Sequence, residues 1–254
     1  MDSIFDTTRW IHITIGFTGL MAFWIPAFSR KGGRTHVRAG RIFEWAAYVV
    51  AGTAMFNALG RLAAGLAGGA TLERNEASFG FAIFLAYLGL VTLAGVRHAV
   101  RAVRTKGDWA AMDTVPHRAL AVLSIAGSAV VVAYALAVWS GVSVVLLALS
   151  PVGVLQGWGM LSRLRDPPDE RMGWYYVHIG NIIGAGIAFH TAFLVFGSAR
   201  FIPFELPGVW QIVPWILPAA IGIPMARTLE TRYRRRFGEP RGGARTERRA
   251  PVSA

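Results

Sequence analysis

The sequence predicts an all-α integral membrane protein, a bundle of seven transmembrane helices with its N-terminus outside and its C-terminus in the cytoplasm. Three observations predict this fold class. First, 54% of the 254 residues are hydrophobic, only 16% are charged, and the mean hydropathy is +0.45, a composition that is unusual for a soluble domain. Second, apolar runs of about 20 residues, the length that crosses about 30 Å of hydrocarbon, fill most of the chain. Third, the basic residues are concentrated in alternate connections between those runs.

Seven segments are long and apolar enough to be membrane spans. In chain order they are residues 10–28, 42–64, 79–96, 119–139, 142–160, 174–196 and 209–226. Only the short uncharged turn of Ser140 and Gly141 separates the fourth span from the fifth. The seventh contains Pro214, Pro218 and Pro224, which kink a membrane helix without excluding one.

The orientation follows from the distribution of lysine and arginine. Of the 26 such residues, 22 lie in four regions, residues 29–41, 97–118, 161–173 and 227–254. The alternate connections hold only Arg9, Arg74 and Arg200, with Arg61 near the end of the second span. Because basic residues near helix ends are retained on the cytoplasmic side, an odd number of spans with this bias places the N-terminus outside.

Two regions of the chain are expected to behave differently, a transmembrane domain at residues 1–231 and a basic tail at residues 232–254. The first ten residues lack a basic n-region and a cleavage pattern, so the first span is predicted to be retained. The tail is rich in Arg, Gly and Pro, which is typical of a disordered segment. We expect Arg234, Arg235 and Arg236 to contact anionic lipid headgroups, so the predicted partner is membrane lipid and not nucleic acid.

Several functional classes are excluded by the residue types present. Cysteine is absent, which excludes disulfides, thiolate nucleophiles, iron–sulfur clusters and cysteine-ligated zinc. The two lysines, Lys31 and Lys106, lie in loops, so no span offers the Schiff-base lysine that a retinal protein needs. The sequence also contains no phosphate-binding P-loop, no H-E-x-x-H motif and no Gly-x-Ser-x-Gly elbow.

The six histidines carry most of the information about chemistry, because polar side chains at membrane depth cost free energy. The predicted topology sorts them into two layers, with His12 and His190 near the outer face and His36, His98, His117 and His178 near the cytoplasmic face. Two layers of imidazole are what an electron carrier with two bis-histidine b-type haems needs. However, His178 and His190 are about 18 Å apart along one helix and about 120° apart around it, so they would face different neighbours.

The resulting hypothesis is a membrane redox component that binds haem b. Its outer ligands would be His12 and His190, and its inner ligands would come from His98, His117 or His178. The alternative for each histidine is an interfacial or hydrogen-bonded structural role. The sequence contains no dinucleotide-binding domain, so a redox role requires an external electron donor, and we expect a membrane redox partner or a homo-oligomer.

Other polar residues at membrane depth point to alternative functions. Glu44, near the end of the second span, is expected to pair with Arg38 or Arg41 one turn away. The functional alternative is a proton or cation path through Glu44, Asn57 and Asn181, as in a small-solute or proton-coupled transporter. A third possibility is a non-catalytic membrane partner subunit.

The connection after the first span carries a recognisable pattern, Lys31-Gly32-x-x-x-His36-x-x-x-Gly40. It resembles a loop in a bacterial family of multi-pass membrane proteins of unknown function, in which an early membrane histidine, here His12, precedes the loop. The resemblance covers roughly the first 60 residues. It implies a bacterial inner-membrane location and no mechanism. The alternative interpretation is a polar loop beside lipid phosphates, with Gly40 turning the chain.

Overall fold

The computed structural model describes residues 2–71, 74–198 and 208–239, and within these ranges the chain contains helices and no strand. The α-helices there are α1 Asp2–Phe28, α2 Arg34–Ala67, α3 Glu76–Thr105, α4 Trp109–Met112, α5 Val115–Ala137, α6 Ser143–Leu149, α7 Pro151–Arg165, α8 Gly173–Ala192 and α9 Val213–Phe237. A π-helical turn, Phe193–Gly197, extends α8, and a 3₁₀ turn, Gly208–Ile212, precedes α9.

Seven of the described helical segments are long and apolar enough to cross a membrane. They are Ser3–Phe28, Arg34–Ala67, Glu76–Thr105, Val115–Ala137, Ser143–Arg165, Gly173–Gly197 and Trp210–Phe237. The prediction of an all-α bundle with seven spans is therefore confirmed. The second and third segments, of 34 and 30 residues, are longer than the predicted spans because the helices continue through their basic ends. Which membrane face each end meets stays a prediction from the lysine and arginine distribution.

Helix α3 is at the centre of the bundle. It contacts α2, α5, α7 and α8, and 56% of its span is buried, the largest share of any of the seven. Small residues bring the neighbouring helices close to one another. A side chain on Gly157 of α7 would overlap the carbonyl oxygen of Ala121 on α5, and one on Gly153 would overlap that of Ser124. The backbones of α5 and α7 are therefore in direct contact.

The fifth span is interrupted at Pro151, where α6 ends and α7 begins. Proline has no backbone N–H, so the carbonyl of Leu147 loses its usual donor, and the Ser150 hydroxyl donates to it instead at 3.0 Å. The phenol of Tyr87 on α3 accepts from the Gly153 N–H at 2.7 Å and donates to the Ser150 carbonyl at 2.9 Å. The backbone groups freed by the proline thus find partners inside the bundle.

The last helix continues past the predicted start of a disordered tail, so residues 232–237 are helical. Arg234 is 8% exposed, and it pairs with Glu170 at 2.7 Å and with Glu230 at 2.8 Å. Its guanidinium also lies 4.1 Å from the ring centroid of Tyr176. The expectation that Arg234 contacts lipid headgroups is therefore wrong, because these contacts draw its side chain toward α8. Residues 240–254, and the predicted outer loop with Arg200, lie outside the described residues.

Candidate functional site

His98 of α3 and His117 of α5 face each other inside the bundle. Their ring centroids are 5.1 Å apart with the planes inclined by 43°, and the two residues are 1% and 0% exposed. The reason lies one turn away, where Ala94 of α3 and Ala121 of α5 pack with Met160 of α7. These two small residues let the helices approach, and side chains four positions along the same faces then meet.

Among the described residues, neither imidazole finds a hydrogen-bond partner at Nδ1 or Nε2. The same is true of the buried Nε atoms of Arg97 and Arg101 and of the Thr114 hydroxyl. Of nine buried, partnerless side-chain nitrogen and oxygen atoms in the described part of the chain, seven belong to these five residues. A buried polar atom without a partner costs about 1–3 kcal/mol. A polar group or water placed beside these atoms would therefore be held by several of them at once.

Three guanidinium groups act electrostatically on the two imidazoles. Arg97 and Arg101 of α3 act electrostatically on His117, and Arg163 of α7 acts on His98. Arg101 and Arg163 each donate to a backbone carbonyl, those of Ala111 and Gly159. In the described ranges, no carboxylate lies within 4 Å of any of the three guanidinium groups. We call Arg97, His98, Arg101, Thr114, His117 and Arg163 the His98–His117 site.

The acidic residue next to this site already forms an ion pair with an arginine outside the site. Asp113, in the connection before α5, accepts from Nη2 of Arg118 at 2.6 Å, and this hydrogen bond is the main reason that the pKa of Asp113 lies below its usual value. The adjacent short helix α4 buries Trp109 and Met112 against Val177 of α8. Asp113 also acts electrostatically on His117, but its carboxylate forms an ion pair with Arg118 and not with the three guanidinium groups of the site.

The chemistry of the His98–His117 site favours an anion over a metal ion. Guanidinium groups only donate hydrogen bonds, and an imidazole or a hydroxyl can donate as well. A metal ion would need further ligands, yet in the described ranges no three His, Cys, Asp or Glu side chains are grouped to hold one. The surplus of donors and positive charge matches the oxygen atoms of an oxyanion.

The two histidines predicted to form the outer layer are not brought together. His12 donates from Nδ1 to the Thr53 hydroxyl at 2.9 Å, because that hydroxyl donates its own proton to the Val49 carbonyl at 2.7 Å. His190 instead accepts from the Trp24 indole at 3.0 Å. Trp24 is twelve residues beyond His12 on α1, a rise of about 18 Å. A ligand shared by His12 and His190 does not fit this arrangement.

His36 and Lys31 of the loop pattern hold the end of α1. Lys31 donates to the carbonyls of Pro26 and Ala27 at 2.6 and 2.8 Å, and Nδ1 of His36 donates to the Pro26 carbonyl at 3.3 Å. Burial lowers the pKa of Lys31 from its ordinary value. The pattern therefore supplies partners for carbonyls that a helix end leaves free.

The turn of that loop is made by a different glycine from the one expected. Gly32 has φ +73°, in the left-handed region that favours glycine. Gly40 lies inside α2, so the prediction that Gly40 turns the chain is wrong. His178 of α8 donates from Nδ1 to the Ala99 carbonyl of α3 at 3.3 Å, and it does not join the His98–His117 pair.

Glu44 is paired, but with a different helix from the one predicted. It is 7% exposed and accepts from Arg104 of α3 at 3.0 Å and from Tyr48 at 3.2 Å. The face of α2 that carries Glu44 packs on α3, whereas Arg38 and Arg41 lie on exposed faces of α2. The expected pairing of Glu44 within α2 is therefore wrong.

Asn57 and Asn181 have separate local partners. Asn57 accepts from the Thr8 hydroxyl of α1 at 2.9 Å, and Asn181 of α8 accepts from Gln156 of α7 at 3.1 Å. Glu44, Asn57 and Asn181 thus lie in three different contacts between helices. The structure does not link them into the path proposed for a proton or cation.

Sequence reasoning identified the two imidazoles of the site and missed the residues around them. Arg97, Arg101 and Arg163 were interpreted only as markers of orientation. The signal was the spacing of Arg97 and Arg101, which puts both on one face of α3 one turn apart.

Comparisons with protein-family models, with characterised proteins and with solved structures find no match to this chain, so the interpretation of the site rests on its geometry.

Proposed function

We propose that this protein binds a small oxyanion at the His98–His117 site, as the substrate site of a small-solute membrane transporter. The observation that carries the proposal is the concentration of partnerless buried polar atoms, many of them able to donate, in and around the His98–His117 pair, where no carboxylate of the described residues pairs with Arg97, Arg101 or Arg163. An oxyanion supplies acceptor atoms and negative charge together. Hydrogen bonds between such charged partners are about twice as strong as those between neutral ones.

The position of the site supports a transporter in preference to a peripheral binding protein. Its residues come from α3, α5 and α7 and from Thr114, which directly precedes α5, and the two imidazoles face the interior of the bundle. Ionisable residues that face the inside of a membrane bundle commonly mark substrate pathways. Arg97, Arg101 and Arg163 are half-buried, so their guanidinium groups are within reach of solvent, unlike the enclosed imidazoles. The loop resemblance at Lys31–Gly40 supports a bacterial inner membrane as the location.

The test measures binding of simple anions to the full-length protein in nanodiscs of zwitterionic lipid. Isothermal titration with inorganic phosphate, sulfate and succinate should show saturable binding of at least one of them. His117→Ala and Arg101→Gln should each weaken that binding about tenfold or more. The matched control is His12→Ala, a histidine inside a span but outside the site, which should leave the affinity unchanged.

Two outcomes would overturn the proposal. One is that the wild-type protein binds none of the three anions, which would mean that water alone partners the buried atoms. The other is an equal loss of affinity in His12→Ala and His117→Ala, which would indicate general destabilisation and not a defined site.

A haem-binding redox component is the second candidate, and one observation favours it. His98 and His117 face each other with both nitrogens of each ring unpartnered, which suits two axial ligands of one iron. A porphyrin would have to separate α3 from α5, which pack through Ala94 and Ala121. A Soret band that shifts on reduction in the purified protein and disappears in His117→Ala would favour haem. A featureless visible spectrum would contradict haem binding and leave oxyanion binding as the remaining proposal.

A further inference from the structure

A groove of about 610 Å³ lies on α9 just beyond its apolar part. It is lined by Arg227, Thr228, Thr231, Arg232, Arg235 and Arg236. These residues form two adjacent rows along the helix, because positions four apart lie on the same face. One row is Arg227, Thr231 and Arg235, and the other is Thr228, Arg232 and Arg236. Each row therefore contributes two guanidinium groups.

The groove is strongly cationic, and the described residues that line it include no acidic group. Its four arginines are exposed, and none of the ion pairs found in the described ranges involves them. Glu230 of α9 and Glu170, in the connection before α8, pair with Arg234 instead. Arg234 thereby fixes one face of α9 to α8 and leaves the arginine rows on another face.

The depth of the groove matches the headgroup layer of a bilayer. The apolar part of α9 ends at Ala226, and the rise from Arg227 to Arg236 is about 13.5 Å. The polar region on each side of the hydrocarbon is about 5–8 Å thick. Arg227 and Thr231 therefore lie at the level of lipid phosphates. The backbones of Arg235 and Arg236 lie just outside that level, and their side chains tilt back toward it, because side chains of an α-helix tilt toward its N-terminus.

We propose that this groove binds an anionic phospholipid whose headgroup carries two phosphate groups. Two pairs of guanidinium groups match two phosphates, and guanidinium binds phosphate through parallel hydrogen bonds. Basic pockets of membrane proteins at this level bind such headgroups. The groove is separate from the His98–His117 site, so the proposal does not depend on the proposed function.

The test is a lipid titration of the full-length protein in detergent, read by native mass spectrometry. The probes are diphosphatidylglycerol, phosphatidylglycerol and phosphatidylcholine. The wild-type protein should bind one diphosphatidylglycerol about tenfold more tightly than phosphatidylglycerol. The groove variant carries Arg→Gln at Arg227, Arg232, Arg235 and Arg236 and should lose that preference. The matched control carries Arg→Gln at Arg30, Arg34, Arg38 and Arg41, an equal loss of exposed charge on the same predicted side, and should keep it.

Three results would overturn this proposal. An equal loss in the groove and control variants would mean that overall charge, and not the groove, attracts the lipid. Equal affinity for diphosphatidylglycerol and phosphatidylglycerol would mean that the second phosphate is not recognised. Full competition by inorganic pyrophosphate would identify a soluble polyphosphate as the occupant. His117→Ala serves as a further control and should bind the lipid as the wild-type protein does.

Discussion

Trp24 of α1 donates its indole N–H to Nε2 of His190 of α8 at 3.0 Å. Because Nε2 accepts, the ring proton is on Nδ1, and it donates to the Gly186 carbonyl at 2.7 Å. His190 is thus a neutral imidazole with both nitrogens in use. It joins two helices at an apolar cavity of about 110 Å³ that is also lined by Phe23 and Leu217. A metal or haem iron could bind His190 only by displacing one of these partners.

Trp24→Phe should destabilise the protein by about 1–3 kcal/mol, because it leaves Nε2 of His190 unpaired in apolar surroundings. Unfolding in mixed detergent micelles, followed by tryptophan fluorescence or circular dichroism, measures the loss. Trp158→Phe is the control, since Trp158 is 62% exposed and should change little. The double variant Trp24→Phe/His190→Leu should recover part of the loss, because no unpaired acceptor remains. No recovery would contradict the hydrogen-bond explanation.

Glu44 and Arg104 should show a favourable coupling free energy of about 1–3 kcal/mol in a double-mutant cycle with Glu44→Gln and Arg104→Gln. The estimate allows for exposure of 69% of the Arg104 side chain to solvent, against 9% for Glu44. The same cycle with Arg38→Gln in place of Arg104→Gln should give a coupling near zero. A larger coupling to Arg38 than to Arg104 would favour the pairing expected from sequence spacing.

The sequence was sufficient for the spans and insufficient for the contacts between them. Length and hydropathy decide whether a segment crosses a bilayer, so seven spans could be predicted without knowing what each one contacts. Contacts depend on how far each helix is shifted and rotated against its neighbours. His12 and His190 were assigned to one layer from their distance to the helix ends, but the packing of α1 on α8 puts His190 beside Trp24.

The histidines of the candidate site could be predicted from the sequence, but their meeting could not, because it depends on how the helices pack. His98 and His117 stand out because imidazoles are rare at membrane depth. Their meeting depends on Ala94 and Ala121, whose role as a contact point cannot be distinguished in sequence from that of other alanines. Arg163 joins the site only because glycines on α7 let that helix approach α5.

Gly157→Ala should destabilise the bundle by about 1–3 kcal/mol or more, since the added carbon would overlap the Ala121 carbonyl and backbone cannot move aside as a side chain can. Thermal unfolding of the detergent-solubilised protein measures the effect. Gly180→Ala on α8 is the matched control, because nothing lies within 4 Å of the added carbon there. It should be neutral or slightly stabilising, since alanine favours helix. Equal losses in both variants would show that α5 and α7 are not in contact at Gly157.

The predicted orientation can be tested with reporters at two positions that the structure locates outside the spans. A reporter active only in the cytoplasm should be active when fused after Glu239, which follows the end of α9 at Phe237. The same reporter inserted between Arg74 and Asn75, in the connection of α2 and α3, should be silent. The physical reason is the concentration of 22 of the 26 basic residues in regions predicted to share one membrane face. A periplasmic reporter at both positions is the control and should give the opposite pattern. If the α2–α3 connection is cytoplasmic instead, the arginine groove of α9 lies at the outer leaflet, and its anionic lipid must be sought there.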